Sequence, residues 1–121
     1  MMKNHEDYKL NINEKHHIEK VDKPSGTAIK LANDIIKNSN YSSWILDGNT
    51  TKNDINIDSF REGNEKGFHE IKYTSKNDEI TISHNAKNRF SFALGSVLSA
   101  EYIIGKKGVF TINDVINNIK I

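Results

Sequence analysis

Apolar and polar residues alternate near the start of the chain, over residues 8–15. A period of two is typical of a β-strand with one buried face. The same alternation places His16 on the apolar face of this predicted strand and His17 on the opposite face. The apolar positions that define the strand are Tyr8, Leu10 and Ile12.

A pattern with the period of a helix follows Pro24, the only proline in the chain. Proline restricts the preceding residue, Lys23, to extended backbone and ends any helix before it. Apolar residues then recur at i, i+3, i+4, i+7 and i+8, which predicts an amphipathic helix with one apolar stripe. Ser25 is the predicted N-cap of this helix. The stripe consists of Ala28, Leu31, Ala32, Ile35 and Ile36.

Three more strands and two more helices are predicted beyond a polar connection over residues 41–54. Two of the strands alternate on either side of Lys76-Asn77-Asp78, which indicates an antiparallel hairpin. The element order β-α-β-β-β-α-α segregates strands from helices, so we expect the α+β class. The predicted strands cover residues 55–59, 69–75 and 79–84, and the predicted helices cover residues 90–104 and the segment that begins with the Thr111–Asp114 capping signal.

The predicted helix over residues 90–104 is apolar around most of its circumference, which is broader than the stripe of a surface helix. Two interpretations are open. The helix is either central and packed on several sides, or it packs against something that is not in this chain.

Composition excludes several classes of function. The chain has 121 residues, no cysteine and a formal net charge of +1. It therefore has neither disulfides nor thiolate metal ligands, and its charge gives no reason to expect a nucleic acid or an acidic membrane as a partner. The charged N-terminus has no signal-peptide pattern, and no apolar run approaches the roughly 18 residues of a membrane span. We expect a cytoplasmic domain.

A metal site at the adjacent histidines is disfavoured by geometry. Neighbouring strand residues point to opposite faces, so His16 and His17 do not easily meet one ion. A site would require His69, His84 or a carboxylate to converge on one of them, and no H-x₃-H or C-x₂-C spacing is present. Lys20 would also repel a cation. We predict no metal.

The same segment suits acid–base chemistry on an anion. Histidine titrates near neutral pH, at about 6.5. Lys20 lowers that pKa and offers a positive charge to an anionic substrate. Ser25, Gly26 and Thr27 open a helix whose free N–H groups attract a carboxylate or phosphate, and glycine lets the anion approach closely. From composition alone, a surface loop with two solvated histidines remains the competing interpretation.

Three blocks of sequence together resemble the dihydrodipicolinate reductase family. The first is His16-His17-x-x-Lys20-x-Asp22-x-Pro24-Ser25-Gly26-Thr27-Ala28. The second runs from Arg61 to Glu70 and is similar to the family block Arg-x-Gly-x-x-x-Gly-x-His. The third runs from Ile80 to Phe110. The blocks occur in the family's order and cover almost the whole chain. The chain departs from the family at Lys23, where alanine is frequent, and at Ile18-Glu19.

The resemblance implies a fold and a domain. We expect residues 1–121 to form the C-terminal, substrate-binding and oligomerisation domain. Its architecture would be a mixed sheet of about four strands with helices on one face, like the C-terminal domain of glyceraldehyde-3-phosphate dehydrogenase. In the family, this sheet builds a tetramer.

The resemblance also implies a reaction in lysine and diaminopimelate biosynthesis, in which NADH or NADPH reduces a cyclic dicarboxylate to tetrahydrodipicolinate. An N-terminal Rossmann domain would bind the cofactor, because none of the seven glycines here forms G-x-G-x-x-G. We therefore expect no cofactor-binding residue in this chain and little turnover by it alone. The alternative is a non-catalytic dicarboxylate-binding or assembly module.

Roles for individual residues follow from the resemblance. His16 would be the general acid that protonates the substrate ring, and Lys20 the second catalytic group. One substrate carboxylate would lie at the N–H groups of Gly26 and Thr27. The predicted substrate-binding residues are His17, Ser25, Gly26, Thr27 and Arg89.

Overall fold

The computed structural model describes residues 2–118, and they form two compact units. The first unit ends at Ala86 and the second begins at Lys87. The first contains a 3-10 turn and the elements β1 (Lys9–His16), α1 (Gly26–Lys37), β2 (Ser43–Leu46), β3 (Asp54–Arg61), β4 (Phe68–Thr74) and β5 (Glu79–Asn85). The second contains α2 (Phe90–Ile103) and α3 (Ile112–Asn118).

The strands form one mixed sheet in the order β2-β3-β1-β4-β5. β1 pairs in parallel with β3 and antiparallel with β4, and β4 and β5 form the predicted antiparallel hairpin. The mixed sheet and the α+β class are confirmed. The difference is one additional strand, β2, which pairs in parallel with β3 at the sheet edge. A strand of four residues is too short for its alternation to be recognised in a polar segment.

The core of the first unit lies between α1 and one face of the sheet. Leu10 and Ile12 on β1 pack with Ile55 and Ile57 on β3, and all four are buried. The helix contributes small residues to the same core, because its fully buried positions are Ala28 and Ala32. These alanines confirm the predicted apolar stripe, and their size lets the helix lie close to the two central strands.

Along this core face, each central strand changes from apolar to polar toward one end. On β1, Leu10 and Ile12 are followed by Glu14 and His16. On the parallel strand β3, Ile55 and Ile57 are followed by Ser59 and Arg61. The antiparallel strand β4 brings His69 to the same end, opposite Glu14. The sheet thus collects polar side chains beside the end of its hydrophobic core.

The opposite face of the sheet has a polar network. The Asn11 side chain donates to Asp58 at 2.8 Å and receives a bond from Asn56 at 2.9 Å. Asn13 continues the network by donating to Glu70 at 2.8 Å. These bonds pair the side chains of four residues that alternate with the core residues on β1 and β3. One face of the central strands therefore packs against α1, and the other carries the polar network.

The second unit consists of α2 and α3, and Val115 of α3 is its buried apolar residue. α2 has no buried residue and exposes large side chains such as Phe90 and Phe92. Gly105 has φ of +73° and lies one residue beyond the C-cap of α2. The capping signal before α3 is also confirmed, because Thr111 donates through both its N–H and its hydroxyl to Asp114 at 2.7 Å. Among the described residues, no helix is both long and apolar enough to cross a membrane.

Candidate active site

The N-terminus of α1 begins at the predicted position. Ser25 is the N-cap, and its hydroxyl oxygen accepts a bond from the Ala28 N–H at 3.2 Å. Gly26 and Thr27 form the exposed first turn, and a methyl group placed on Gly26 would meet no atom within 4 Å. The helix therefore presents an open, electropositive terminus that an anion can reach.

Glu14 connects this helix start to the sheet. Its side chain is completely buried, and its Oε1 accepts bonds from the Ser25 N–H at 3.0 Å and from the Ser59 hydroxyl. A third donor, Arg61 Nη2, lies 3.1 Å from the same oxygen. Burial raises the pKa of the Glu14 carboxyl, but the bonds from Ser25, Ser59 and Arg61 outweigh it and hold the pKa below its usual range. Glu14 is therefore a buried anion at neutral pH.

Arg61 fixes the loop between β1 and α1 as well as the buried carboxylate. Its guanidinium donates to the backbone carbonyls of Lys20 at 3.2 Å and Asp22 at 2.6 Å. Its side chain is 14% exposed. Because one guanidinium links the loop carbonyls to Glu14, the position of the loop depends on this ion pair.

The second oxygen of Glu14 faces two imidazole rings. His16 Nδ1 lies 3.4 Å from Oε2, and His69 Nε2 lies 3.7 Å from it. The two rings are 5.0 Å apart between centroids, and His69 Nε2 is also 3.1 Å from the Ser25 hydroxyl. Burial lowers the pKa of both histidines, and the nearby cations Arg61 and Lys20 lower that of His16 further, against the opposing effect of Glu14. Both rings favour the neutral form at neutral pH.

The loop after β1 contains the predicted second catalytic group. Lys20 Nζ pairs with Asp22 at 2.7 Å, and its side chain is 23% exposed. His17 is half-buried, and its carbonyl accepts a bond from the Lys20 N–H at 3.1 Å. The residue that departs from the family, Lys23, pairs with Asp47 at 2.7 Å. That pair holds the loop against the segment after β2 and leaves Lys20 near the histidines.

The predicted site residues are thus only partly brought together. The first unit places His16, Lys20, Ser25 and the open turn of α1 around one end of β1. Ser25 is 3% exposed and its hydroxyl already bonds within the fold, so it acts as a cap in this structure. Arg89 is exposed at the start of α2, in the second unit, and is described there alone.

Three residues that were not predicted complete the cluster. They are Glu14, Arg61 and His69. The alternation in β1 contained a usable signal for Glu14, because it places a carboxylate on the apolar face next to His16. Arg61 and His69 lie inside the second family block, but no sequence pattern shows that they meet Glu14.

A ligand set for a metal ion is present by distance alone. Glu14, His16 and His69 each offer one ligand atom, and these atoms lie within 4.8 Å of one another. Arg61 already neutralises the carboxylate at 3.1 Å, and Lys20 lies close enough to lower the pKa of both histidines. These two cations oppose a metal, so its absence remains our prediction.

A cavity of about 380 Å³ lies away from this cluster, among residues such as Lys9, Tyr41 and Asp54. It borders the beginning of β1 and β3, whereas the site residues lie at the end of these strands. None of the predicted site residues lines it. We therefore place the candidate site beside His16 and the exposed first turn of α1.

Comparison with known proteins agrees with the family resemblance. The family model for the C-terminus of dihydrodipicolinate reductase matches residues 1–116. The chain is 46% identical over 120 residues to the 4-hydroxy-tetrahydrodipicolinate reductase of Christiangramia forsetii, and the match covers 98% of the chain and 50% of that protein. It is 38% identical to the reductase of Clostridium novyi over 94% of the chain and 48% of that protein. The chain spans about half the length of these curated relatives.

A solved structure has the same fold. It is the dipicolinate-bound dihydrodipicolinate reductase of a Paenisporosarcina species, with a TM-score of 0.63 at 26% identity. The similarity covers 84% of this chain and 42% of that one.

Proposed function

Because the chain belongs to the dihydrodipicolinate reductase family, we propose that it is the substrate-binding and proton-donating half of a 4-hydroxy-tetrahydrodipicolinate reductase. The substrate would be a cyclic dicarboxylate that is reduced to tetrahydrodipicolinate with loss of water. The observation that best supports this function is the proximity of a histidine, a lysine and an open helix N-terminus, which together offer a proton donor and two carboxylate sites.

The carboxylates of the substrate would be bound by different parts of the site. One would accept bonds from the free N–H groups of Gly26 and Thr27 and from the Thr27 hydroxyl, where the helix dipole favours an anion. The other would pair with the Lys20 ammonium, which would exchange its present partner Asp22 for the substrate. Two fixed carboxylates would define the orientation of the ring relative to His16.

His16 would deliver the proton. Burial and the surrounding cations keep its pKa low in the free protein. A bound dianion near the ring would raise that pKa, because a nearby negative charge favours imidazolium. The site would therefore acquire its proton when substrate binds, which suits a general acid at neutral pH.

A nicotinamide cofactor, when bound, supplies the hydride. The chain contains no G-x-G-x-x-G motif, so we assign no residue of this chain to the cofactor. Its own residues bind and orient the substrate and hold the proton. NADH or NADPH would be bound mainly by a nucleotide-binding domain, which would be a partner of this chain if it is encoded separately.

The general-acid role is tested in a chimera in which this chain replaces the matching half of the Christiangramia forsetii reductase. We expect His16→Ala to lower kcat by about 10²–10⁴-fold, the usual contribution of a general acid. Affinity for pyridine-2,6-dicarboxylate should change by less than about threefold, since the carboxylates are bound elsewhere. His5→Ala, at an exposed histidine outside the site, is the matched control. An unchanged kcat in the His16 variant would eliminate the role.

The chain alone should bind pyridine-2,6-dicarboxylate without oxidising NADH or NADPH. Calorimetry measures the binding, and nicotinamide absorbance with freshly generated substrate measures turnover. Turnover by the chain alone that is comparable to that of the chimera would contradict the proposal that a separate domain binds the cofactor.

The second candidate function is a dicarboxylate-binding or assembly module without catalysis. The open N-terminus of α1 and the Lys20 ammonium would suffice for it, because binding alone requires no proton donor. It predicts that the chimera binds the dicarboxylate but does not turn over, whereas the reductase proposal predicts an active chimera.

Self-association is part of the proposal. A homo-oligomer, with a tetramer as the expected form, would use the sheet face opposite α1. That face exposes Phe60, which is 47% accessible, above the polar network of β1 and β3. Analytical ultracentrifugation measures the oligomeric state. Phe60→Ser should shift the protein toward monomer if this sheet face forms the interface.

A further inference from the structure

We propose that Glu14 is a positioning residue: its Oε2 accepts a hydrogen bond from the Nδ1–H of His16, which leaves Nε2 as the nitrogen that takes up and delivers the transferable proton. This inference rests on the proposed role of His16 as proton donor. It adds a buried residue outside the predicted site and assigns it a specific effect on one imidazole atom.

The first argument concerns the hydrogen-bond partners of the two Glu14 carboxylate oxygens. Oε1 has three donors, from Ser25, Ser59 and Arg61. Oε2 is buried and has no hydrogen-bond partner among the described residues, and the same is true of His16 Nδ1. The two atoms lie 3.4 Å apart. Two buried polar atoms without partners are costly, and a proton on Nδ1 that points to Oε2 satisfies both at once.

The second argument concerns His69, which is the other imidazole near Oε2. The Ser25 hydroxyl oxygen accepts the Ala28 N–H and lies 3.1 Å from His69 Nε2, and we assign the hydroxyl proton to that nitrogen. With Nε2 of His69 acting as an acceptor, this ring does not donate to Oε2, from which it is 3.7 Å away. His16 Nδ1 is then the nearby group that can donate to Oε2 of Glu14.

The third argument is the surroundings of His16 Nε2. This edge of the ring faces Gly67, where a methyl group would lie 3.6 Å from Nε2. Gly67 has φ of +134°, a backbone conformation that residues with a side chain rarely adopt. Glycine therefore suits this position. One nitrogen of His16 therefore faces the carboxylate, and the other lies against a glycine with no side chain to occupy it.

The charged groups around His16 come from several elements. Glu14 raises the pKa of its imidazole, while the cations on β3 and in the loop lower it and Asp22 opposes them. The facing groups are Glu14, Lys20, Asp22, Arg61 and His69. Removing the Glu14 charge leaves only Asp22 to oppose the cations, so His16 should then be harder to protonate.

The test is the tautomer of His16, measured by long-range ¹⁵N–¹H NMR on the full chain. Wild type should carry its neutral proton on Nδ1. In Glu14→Gln, the three donors retain the amide oxygen at the Oε1 position, which places the NH₂ group against His16 Nδ1. Nδ1 must then accept, so the proton should move to Nε2. Glu62→Gln, at an exposed carboxylate paired with Lys15, should leave the tautomer unchanged.

Either of two results overturns the proposal: a neutral His16 that is protonated on Nε2 instead of Nδ1 in wild type, or the same tautomer in the folded Glu14→Gln variant. Titration with zinc provides a further check. Tight binding of one ion per chain that is lost in Glu14→Gln would mean that the carboxylate serves a cation instead.

In the chimera, Glu14→Gln should lower kcat by up to about 10²–10⁴-fold with little change in dicarboxylate affinity, and Glu14→Asp should restore part of the loss. The two proposals fail separately. Normal turnover by His16→Ala removes the catalytic role but leaves the NMR result intact. An unchanged tautomer removes the role of Glu14 even if His16→Ala is inactive.

Discussion

At the scale of single residues, the cost of burying the Glu14 carboxylate must be offset by the groups that bond to it. Its carboxylate is fully buried, which costs several kcal/mol when the charge has no partner. Arg61 supplies the opposite charge at 3.1 Å, and Ser25 and Ser59 add neutral donors. The pair lies next to the predicted proton donor, His16. This agrees with a functional reason for the charge.

We expect Arg61→Ala to lower the free energy of unfolding by about 3 kcal/mol, because it leaves a buried carboxylate without its cation. It also removes the bonds to the loop carbonyls of Lys20 and Asp22. Urea denaturation measures the change. Lys30→Ala, which breaks an exposed pair with Asp34, should cost less than about 0.5 kcal/mol. A loss below about 1 kcal/mol for the Arg61 variant would contradict this account.

Stability should fall in two steps as the pH is lowered. Burial lowers the pKa of His16 and His69 below 6.5, so the unfolded chain takes up these protons first and stability decreases as pH falls below that value. For Glu14, burial is outweighed by its hydrogen bonds and the pKa lies below 4.5. Its contribution is present above pH 4.5 and is lost as pH falls through the folded-state pKa.

Urea midpoints at about pH 7.5, 5.5 and 4 separate the two steps. His69→Gln should reduce the loss between the first two values, whereas His5→Gln, at an exposed site, should not. A midpoint in wild type that is constant across this range would refute the linkage.

At the scale of elements, the site is built where three strands and a helix meet at their ends. β1 and β3 are parallel and end together, β4 begins opposite them, and α1 starts above them with Ser25 as its cap. The apolar parts of these elements form the core, and their polar ends form the cluster around Glu14 and His16. Packing of the core therefore determines the distances between the functional groups.

The entry into β4 depends on a glycine, and we expect Gly67→Ala to destabilise the chain by about 1–2 kcal/mol because its φ of +134° strains any side chain. The new methyl group would also lie beside His16 Nε2 and reduce kcat in the chimera. Gly26→Ala is the matched control for stability, since its methyl group meets no atom within 4 Å. We expect that variant to keep its stability and to bind pyridine-2,6-dicarboxylate more weakly. Equal stability of Gly67→Ala and Gly26→Ala would contradict the proposal that the positive φ of Gly67 requires glycine.

At the scale of the whole molecule, the two units differ in how they bury apolar surface. The first has a core in which Ile12, Ile55 and Ile57 are completely buried. In the second, α2 has no buried residue, although most of its side chains are apolar. This agrees with the second of the two interpretations of the sequence, that the helix packs against a structure outside this chain.

Hydrogen exchange should reflect this difference. Amides of β1 should be the most protected, because the strand is central and its neighbours are buried, and amides of α2 should exchange much faster. In the chimera, protection of α2 should increase if a nucleotide-binding domain covers it. Equal protection of β1 and α2 in the isolated chain would show that α2 is stabilised within the chain itself.

The sequence by itself determined the local structure and the outline of the site. The alternation in β1, the stripe of α1 with its Ser25 cap and the β4–β5 hairpin depend on interactions between residues close in the chain, and the structure confirms them. The short edge strand β2 was missed because its pairing with β3 is not local. The first histidine motif identified the family and pointed to His16 and Lys20.

Only the tertiary structure decided which side chains surround His16. The period of two indicates the face of a strand on which a residue lies, but it does not indicate which strand becomes its neighbour. Glu14 and Arg61 are separated by 47 residues, and their contact requires β1 and β3 to pair in one register. That register is set by the burial of isoleucines elsewhere on the same strands. For this reason the contacts that Glu14 makes with β3 and β4 emerged only from the folded chain.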